Sequence, residues 1–208
     1  MKKGVFVVRV DDYLPGLCAL TLPTIERYAK KIGASFTLID QRRYPEYPPT
    51  YEKMQVYDLG RGNDYNILFD CDLAFTEDMY DVTELVSQGS LGCWMVYPPS
   101  VTIKYDEYIK IEDPSETIPA TNFLVVPGDI HKVWEPFDMS YEEASSRMKR
   151  LFVIDEYCVG RNVKKYGVPI VSATYPGSDD NLFKHCNFST DSKSIPQVLL
   201  EIESFLES

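Results

Sequence analysis

The sequence has no Cys-x-x-Cys pair; its five cysteines (Cys18, Cys71, Cys93, Cys158, Cys186) are scattered and odd in number. This argues against zinc held by cysteine clusters, and reduced thiols in an intracellular protein are the expected state. No apolar run is long enough to span a bilayer. Basic charge is scarce: 21 Lys and Arg stand against 32 Asp and Glu, a formal net charge of -11. That balance argues against a nucleic-acid partner and against docking on an anionic membrane by charge alone. Glycine is missing where a phosphate loop needs it, with only Gly16 between Arg9 and Leu17. Histidine occurs only at His131 and His185. The basic start, Met1-Lys2-Lys3, precedes an apolar run that is short and ends in Arg9 and two aspartates, so it reads as a first strand and not as a signal peptide.

The 208 residues suit one domain with a sizeable core. Gly4 to Val10 is the expected first strand. Leu14 to Ile32 is a helix with Ile25, Tyr28, Ala29 and Ile32 as its buried stripe, stopped by Gly33. Ser35 to Ile39 is the second strand, ending in Asp40. After a proline-rich loop, Tyr51 to Leu59 is the next helix. The order β-α-β-α-β predicts a parallel, doubly wound half with right-handed crossovers. The second half reads less regularly. Expected there are a short helix over Asp78 to Val86 and strands at Cys93 to Val96, Val101 to Tyr105, Asn122 to Val126 and Val168 to Ser172. Further helices are expected at Asp129 to Trp134, with Asp129 as N-cap, and at Tyr141 to Leu151, Asp155 to Tyr166 and the C-terminus. Tyr175 to Asn187 reads as irregular.

The chemistry centres on Asn66-Ile67-Leu68-Phe69-Asp70-Cys71-Asp72-Leu73-Ala74-Phe75. A short apolar run bounded by polar residues reads as a buried strand, and ligands of open α/β sheets sit beyond the carboxyl ends of the strands. Asp70 and Asp72 then emerge at that rim, with Arg9 to Tyr13 and Asp40 at the ends of the neighbouring strands. Two carboxylates this close repel unless a cation lies between them. Mg²⁺ and Mn²⁺ take oxygen ligands and are often shared with substrate phosphates. A metal of this kind lets an acidic protein hold an anionic nucleotide. The plainer reading is that the aspartates only terminate a strand.

The whole pattern resembles the GT-A glycosyltransferases that use nucleotide-sugar donors. The features that carry it are the Asp70-x-Asp72 strand, Lys53 and Tyr57-Asp58-Leu59 on the helix before it, Ala120-Thr121-Asn122-Phe123-Leu124-Val125-Val126, Phe152-Val153-Ile154-Asp155-Glu156-Tyr157-Cys158, and His185 near the C-terminus. The chain is similar to glycogenin-like and galactosyltransferase relatives, and to the small glycosyltransferase domains of large algal viruses. The resemblance implies one GT-A domain over residues 1–208, with a Rossmann-like nucleotide-binding half to about residue 75, an acceptor half after it, and a mixed central sheet flanked by helices.

It also implies residue roles. Asp70, Asp72 and His185 hold Mn²⁺ or Mg²⁺, with Asp72 as the best direct ligand and Asp70 bridging to ribose or to the metal's water. Arg9, Val10, Asp12 and Tyr13 hold the uracil edge, Tyr13 stacking on the base. Asp40, Lys53 and Asn122 complete the nucleotide-sugar site, Lys53 reaching a phosphate. Asp155 and Glu156 take the second catalytic role. The plain alternatives are a structural ion pair for Arg9, a solvated Lys53, an idle loop His185, and two acids favoured only by a helix dipole. His131 is expected at the surface. The implied activity is transfer of a hexose or deoxyhexose from a UDP-sugar to a glycan or protein-linked acceptor, with a tilt toward retention of configuration. The implied setting is cytoplasmic, the host cytoplasm if the protein is virus-encoded, without nucleic acid or stable membrane insertion. A longer parent protein is compatible with the sequence.

The sharpest rival is a haloacid-dehalogenase-type phosphatase with Asp70 as nucleophile and Gly177-Ser178-Asp179-Asp180 as its late acidic motif. Two βα units ahead of the Asp pair, and Leu73-Ala74 after it, count against that reading. A nucleotidyltransferase lacks its glycine-rich loop. A non-catalytic binding module is separated by a turnover assay.

Overall fold

The computed structural model describes residues 1–176, 181–186 and 195–207. Its first half follows the expected order. Strand β1 (Lys3–Val8) leads to helix α1 (Pro15–Lys31), strand β2 (Ser35–Ile39), a 3₁₀ segment (Pro49–Gln55) continuing into α2 (Val56–Leu59), and strand β3 (Tyr65–Asp70). Every residue of β1 except Val8, and of β3 except Asp70, is buried. This is the signature of strands covered on both faces. α1 presents Ile25, Tyr28 and Ala29 to the core. It ends at Gly33, whose φ of +68° belongs to the left-handed region that a side chain resists. The prolines at 48 and 49 fix φ early, so the expected helix over Tyr51 to Leu59 begins two residues sooner and winds as a tighter 3₁₀ turn first.

The sheet then changes character. After β4 (Leu73–Phe75), β5 (Leu91–Cys93), β6 (Val96–Tyr97) and β7 (Ile118–Pro119) come β8 (Phe123–Pro127), α3 (Tyr141–Ser146), α4 (Ile154–Lys165), β9 (Ile170–Ser172), β10 (Phe183–His185) and α5 (Ile195–Glu207). The main sheet has the order β2-β1-β3-β8-β5-β9. β1 runs parallel to both β2 and β3, whereas β8 is antiparallel to β3 and to β5. The sheet is therefore mixed, with its parallel part confined to the first half and to the β5–β9 pair. Two small ribbons, β10–β4 and β6–β7, are both antiparallel.

Several second-half expectations are corrected. The stretch Asp78 to Val86 holds one 3₁₀ turn, Val82–Glu84, capped by Asp81. The expected strand Val101 to Tyr105 is absent. Pro98 and Pro99 start a 3₁₀ turn there, and Ile103 makes only an isolated bridge to Met148. Asp129 lies inside the first turn of its 3₁₀ helix, and Pro127 takes the cap position without a side-chain bond. α3 stops at Ser146, five residues short of the expected end. His131 is half-buried and stacks on Tyr57 at 5.2 Å. Its Nε2 donates to the Tyr57 carbonyl at 2.5 Å, and its Nδ1 accepts from Asn66 at 3.4 Å. A helical pattern cannot reveal that the ring is held between Tyr57 and Asn66 of β3.

One core layer gathers Phe6, Leu68, Leu124, Trp134 and Tyr157 between the sheet and α4. The other gathers Val7, Ile25, Phe69, Phe75 and Phe123 between the sheet and α1. α5 buries Val198 and Ile202 against Leu17 and Ala74.

Candidate active site

The turn Asp70-Cys71-Asp72 is gripped from three sides. The Asp70 amide donates to the Asn122 carbonyl at 2.8 Å, Thr21 Oγ1 donates to the Cys71 carbonyl at 2.5 Å, and the Cys186 amide donates to the Asp72 carbonyl at 3.2 Å. The elements before β8, on α1 and after β10 thus fix where both carboxylates point. The β10–β4 ribbon pairs His185 with Leu73, which brings the imidazole back beside Asp72. His185 Nε2 lies 3.3 Å from Asp72 Oδ1, and Trp94 meets the ring edge-on at 5.8 Å.

One ligand atom each from Asp70, Asp72 and His185 falls within 4.8 Å of the others. Two carboxylates and an imidazole are a donor set that suits Mn²⁺ and Mg²⁺. The fit is supported by a buried oxygen of Asp72 and the buried Nδ1 of His185, neither of which has a hydrogen-bond partner of good geometry. Burial works against charge on His185, but the Asp72 contact and the Asp70 charge hold its pKa above the ordinary value. Withdrawal from water pushes the Asp70 carboxyl up; Lys53 opposes this and the charge of Asp72 adds to it.

Lys53 is the surprise of the site. A lysine ahead of a strand is normally solvated, yet this one is 5% exposed. Its Nζ lies 2.6 Å from Asp70 Oδ1 and 2.9 Å from Asp155 Oδ2, and donates to the carbonyl and the hydroxyl of Thr121, both at 3.2 Å. Thr121 Oγ1 in turn donates to Asp155 Oδ2 at 2.5 Å. Burial opposes the ammonium charge, and the two aspartates more than offset it. Lys53 therefore ties the Asp pair to the first turn of α4.

Two adjoining clefts meet at this knot. One, of about 300 Å³, is lined by Val10, Asp11, Tyr13, Pro48, Asp70 and Asp72 among others. The other, of about 310 Å³, is lined by Met95, Tyr97, Asn122, Asp155, Glu156 and His185 among others. Tyr13, Thr50, Lys53, Asp70, Asp72 and Phe152 border both. Asn122 is buried, with an Oδ1 that has no partner. Glu156 accepts a hydrogen bond from the phenol of Tyr97. Burial, with Asp155 nearby, pushes its carboxyl up to about 7.

The remaining sequence candidates sit differently. Arg9 is half-buried, its Nε buried without a partner and its amide bonded to the Ile39 carbonyl at 2.9 Å. Val10 lines the first cleft, as expected. Asp12 and Asp40 are both exposed and border neither cleft. The acid of that turn that does border the first cleft is Asp11, held by Arg42 at 2.6 Å. Asp11, Asp12 and Leu14 have φ of 55°, 51° and 39°. Backbone in this region costs about 1–3 kcal/mol per residue and persists where surrounding contacts impose it. Sequence reading missed Asp11, Thr50, Tyr97, Thr121 and Phe152. Thr121, Phe152 and Asp11 lay in stretches already singled out (Ala120 to Val126, Phe152 to Cys158 and Arg9 to Tyr13); Thr50 and Tyr97 lay in none. The acidic stretch Gly177 to Asp180 lies outside the described residues.

No protein-family model matches the sequence, and no curated protein does. Solved structures do match. A glycosyltransferase involved in glycosylation of the major capsid of the virus PBCV-1 aligns with a TM-score of 0.53 at 10% identity, over 97% of this chain and 99% of that one. A Drosophila β-1,4-galactosyltransferase 7 variant, in complex with manganese, UDP-Gal and xylobiose, aligns with a TM-score of 0.49 at 14% identity, over 95% of this chain and 78% of that one. The fold is that of the GT-A glycosyltransferases: a mixed sheet, parallel in its first half, with an Asp-x-Asp turn at the rim.

Proposed function

We propose that this protein is a metal-dependent glycosyltransferase that uses a UDP-sugar. The observation that carries the reading is the convergence of Asp70, Asp72 and His185 within 4.8 Å at the junction of two clefts. Asp72 and His185 would be the direct metal ligands, with Asp70 beside them at the cleft. A divalent cation bound there supplies Lewis-acid stabilisation for a leaving diphosphate. The chain's own residues do the rest. Val10, Asp11 and Tyr13 form the wall for the base and ribose, and Arg9 and Asn122 flank it. Lys53 holds Asp70 and Asp155 in register. Asp12 and Asp40 take nucleotide roles only if the loops that carry them fold inward on binding. Residues 1–208 form one unit, with the nucleotide half ending near residue 75. The donor sugar is a hexose or deoxyhexose, and the acceptor is a glycan hydroxyl that enters beside Met95 and Phe152.

The resemblance favours retention of configuration. Inversion is a second reading with an observation of its own. Asp155 Oδ2 is occupied by Lys53 and Thr121, whereas Glu156, which borders the acceptor cleft, makes no ion pair among the described residues. That leaves Glu156 as a candidate base. The anomeric configuration of the product, read by NMR, separates the two.

The test is release of UDP from a panel of UDP-hexoses with and without Mn²⁺. Metal-dependent release supports the proposal. Binding without release reduces the protein to a binding module, and an aspartyl-phosphate trapped on Asp70 replaces the proposal with the phosphatase.

A further inference from the structure

The two-residue ribbon β6–β7 does one thing beyond closing the fold: it sets Tyr97 opposite the first turn of α4. Tyr97 pairs with Ile118 across the ribbon, and the Ala120 amide donates to the Met95 carbonyl at 2.9 Å just beyond it. The phenol is aimed into the second cleft, where it donates to Glu156 Oε2. A donor on a separate element thus fixes this carboxylate. α4 alone does not explain the arrangement. An acid in the first turn of a helix needs no tyrosine to be stable there, and a buried carboxylate is costly unless it is hydrogen-bonded.

We propose that Tyr97 is a positioning residue that holds Glu156 as the base for the acceptor hydroxyl. This rests on the inverting form of the glycosyltransferase reading. In the step, the acceptor O–H proton passes to a Glu156 carboxylate oxygen while the acceptor oxygen bonds to the anomeric carbon. The bond from that carbon to the diphosphate oxygen breaks, and its electron pair leaves with the diphosphate.

The charged and titratable groups facing Glu156 are Tyr97 from β6, Asp155 from its own helix and Lys53 from the 3₁₀ segment. Asp70, Asp72 and His185 border the same cleft. Burial and Asp155 raise the Glu156 carboxyl, whereas Tyr97 and Lys53 lower it. Removing the phenol therefore raises it further. The unprotonated form is the base, so the acid limb of the rate profile moves to higher pH.

The variants are Tyr97→Phe, which keeps the ring, and Glu156→Gln. The primary readout is the ¹³C carboxyl titration of Glu156 in glutamate-labelled protein, with the signal assigned by its loss in Glu156→Gln. This readout needs no substrate. The expected result is a Glu156 midpoint near neutrality that rises by about one unit in Tyr97→Phe, equivalent to roughly a tenfold lower base fraction on the acid side. UDP release from UDP-glucose and UDP-galactose with Mn²⁺, with water as the acceptor whose proton Glu156 takes, then falls about tenfold at pH 6 in Tyr97→Phe and recovers toward pH 9. In Glu156→Gln it is lost throughout. An unmoved midpoint, or a loss uniform across pH in Tyr97→Phe, overturns the positioning role. A product of retained configuration overturns the base role while leaving donor turnover intact. Failure of UDP and Mn²⁺ to bind the unaltered protein, with the midpoint shift present, strikes the glycosyltransferase reading and not the contact.

Discussion

The two halves of the molecule are built on different principles. Up to Phe75, position is set by backbone regularity: six-residue strands β1 and β3, a 17-residue α1 and parallel ladders that register residue on residue. Beyond it, β5, β6, β7, β9 and β10 are two or three residues long. Side-chain networks do much of the work there. Arg161, itself buried, reaches Asp106 at 3.4 Å, Glu107 at 2.6 Å and Asp138 at 3.0 Å. Arg147 adds Glu143 at 2.7 Å and a contact to Glu107. A regular first half and a pinned, irregular second half fit the proposed reaction, in which the first holds the nucleotide and the second the acceptor. Lys53 is where the halves meet.

The comparison predicts graded consequences. The largest is for Asp72→Asn. The fold is kept, because the amide fills the same volume, but metal-dependent UDP release falls by about 10³-fold, the several kcal/mol expected of a lost Lewis acid. Comparison of rates alongside thermal midpoints checks both clauses. Next is Lys53→Met. It leaves Asp70 and Asp155 facing each other without their cation, and breaking a buried pair from one side costs about 3–5 kcal/mol. Urea unfolding measures it, and a loss below about 1 kcal/mol contradicts the role of Lys53 as the joint between halves.

Arg161→Met sharpens the contrast. It is expected to lower stability by about 2 kcal/mol through the uncovered Asp106 carboxylate, which keeps its bond from Tyr157 at 2.7 Å. UDP affinity in Mn²⁺ stays unchanged, and weakened UDP binding means that the halves are not separable in this way. The smallest effect is with pH. Burial opposes charge on Glu107, but Arg161 and Arg147 outweigh it and hold the carboxyl at about 2 instead of 4.5. Its contribution is present above pH 4.5 and is lost as pH falls toward 2. Because Glu107 is half-exposed, the effect is small. It appears as a thermal midpoint that drops between pH 5 and 3 more in the unaltered protein than in Glu107→Gln.

The same contrast explains what the sequence disclosed. β1, β2 and β3, the Asp pair and the helix starting near Asp155 were legible because each spans enough residues for periodicity or apolar runs to register. Strands of two or three residues leave no such trace. β10 therefore read as irregular, although it is what carries His185 to Asp72, and the expected strand Cys93 to Val96 stopped one residue short of Tyr97, which β6 carries. Lys53 was ambiguous for another reason. Nothing in a helical pattern distinguishes a solvated lysine from one buried between two aspartates that approach from residues 17 and 102 positions away. Asp11 was overlooked beside Asp12 because the left-handed backbone that turns one toward the cleft and the other to solvent is not written in composition.

The central claim is that Asp70, Asp72 and His185 hold a divalent cation that binds the diphosphate of a nucleotide. Calorimetric titration of UDP, with Mn²⁺ present and absent, into the unaltered protein and Asp72→Asn tests it most directly. The account predicts binding that requires Mn²⁺ and disappears in Asp72→Asn. Equal UDP binding without the metal, or undiminished binding in the variant, contradicts it.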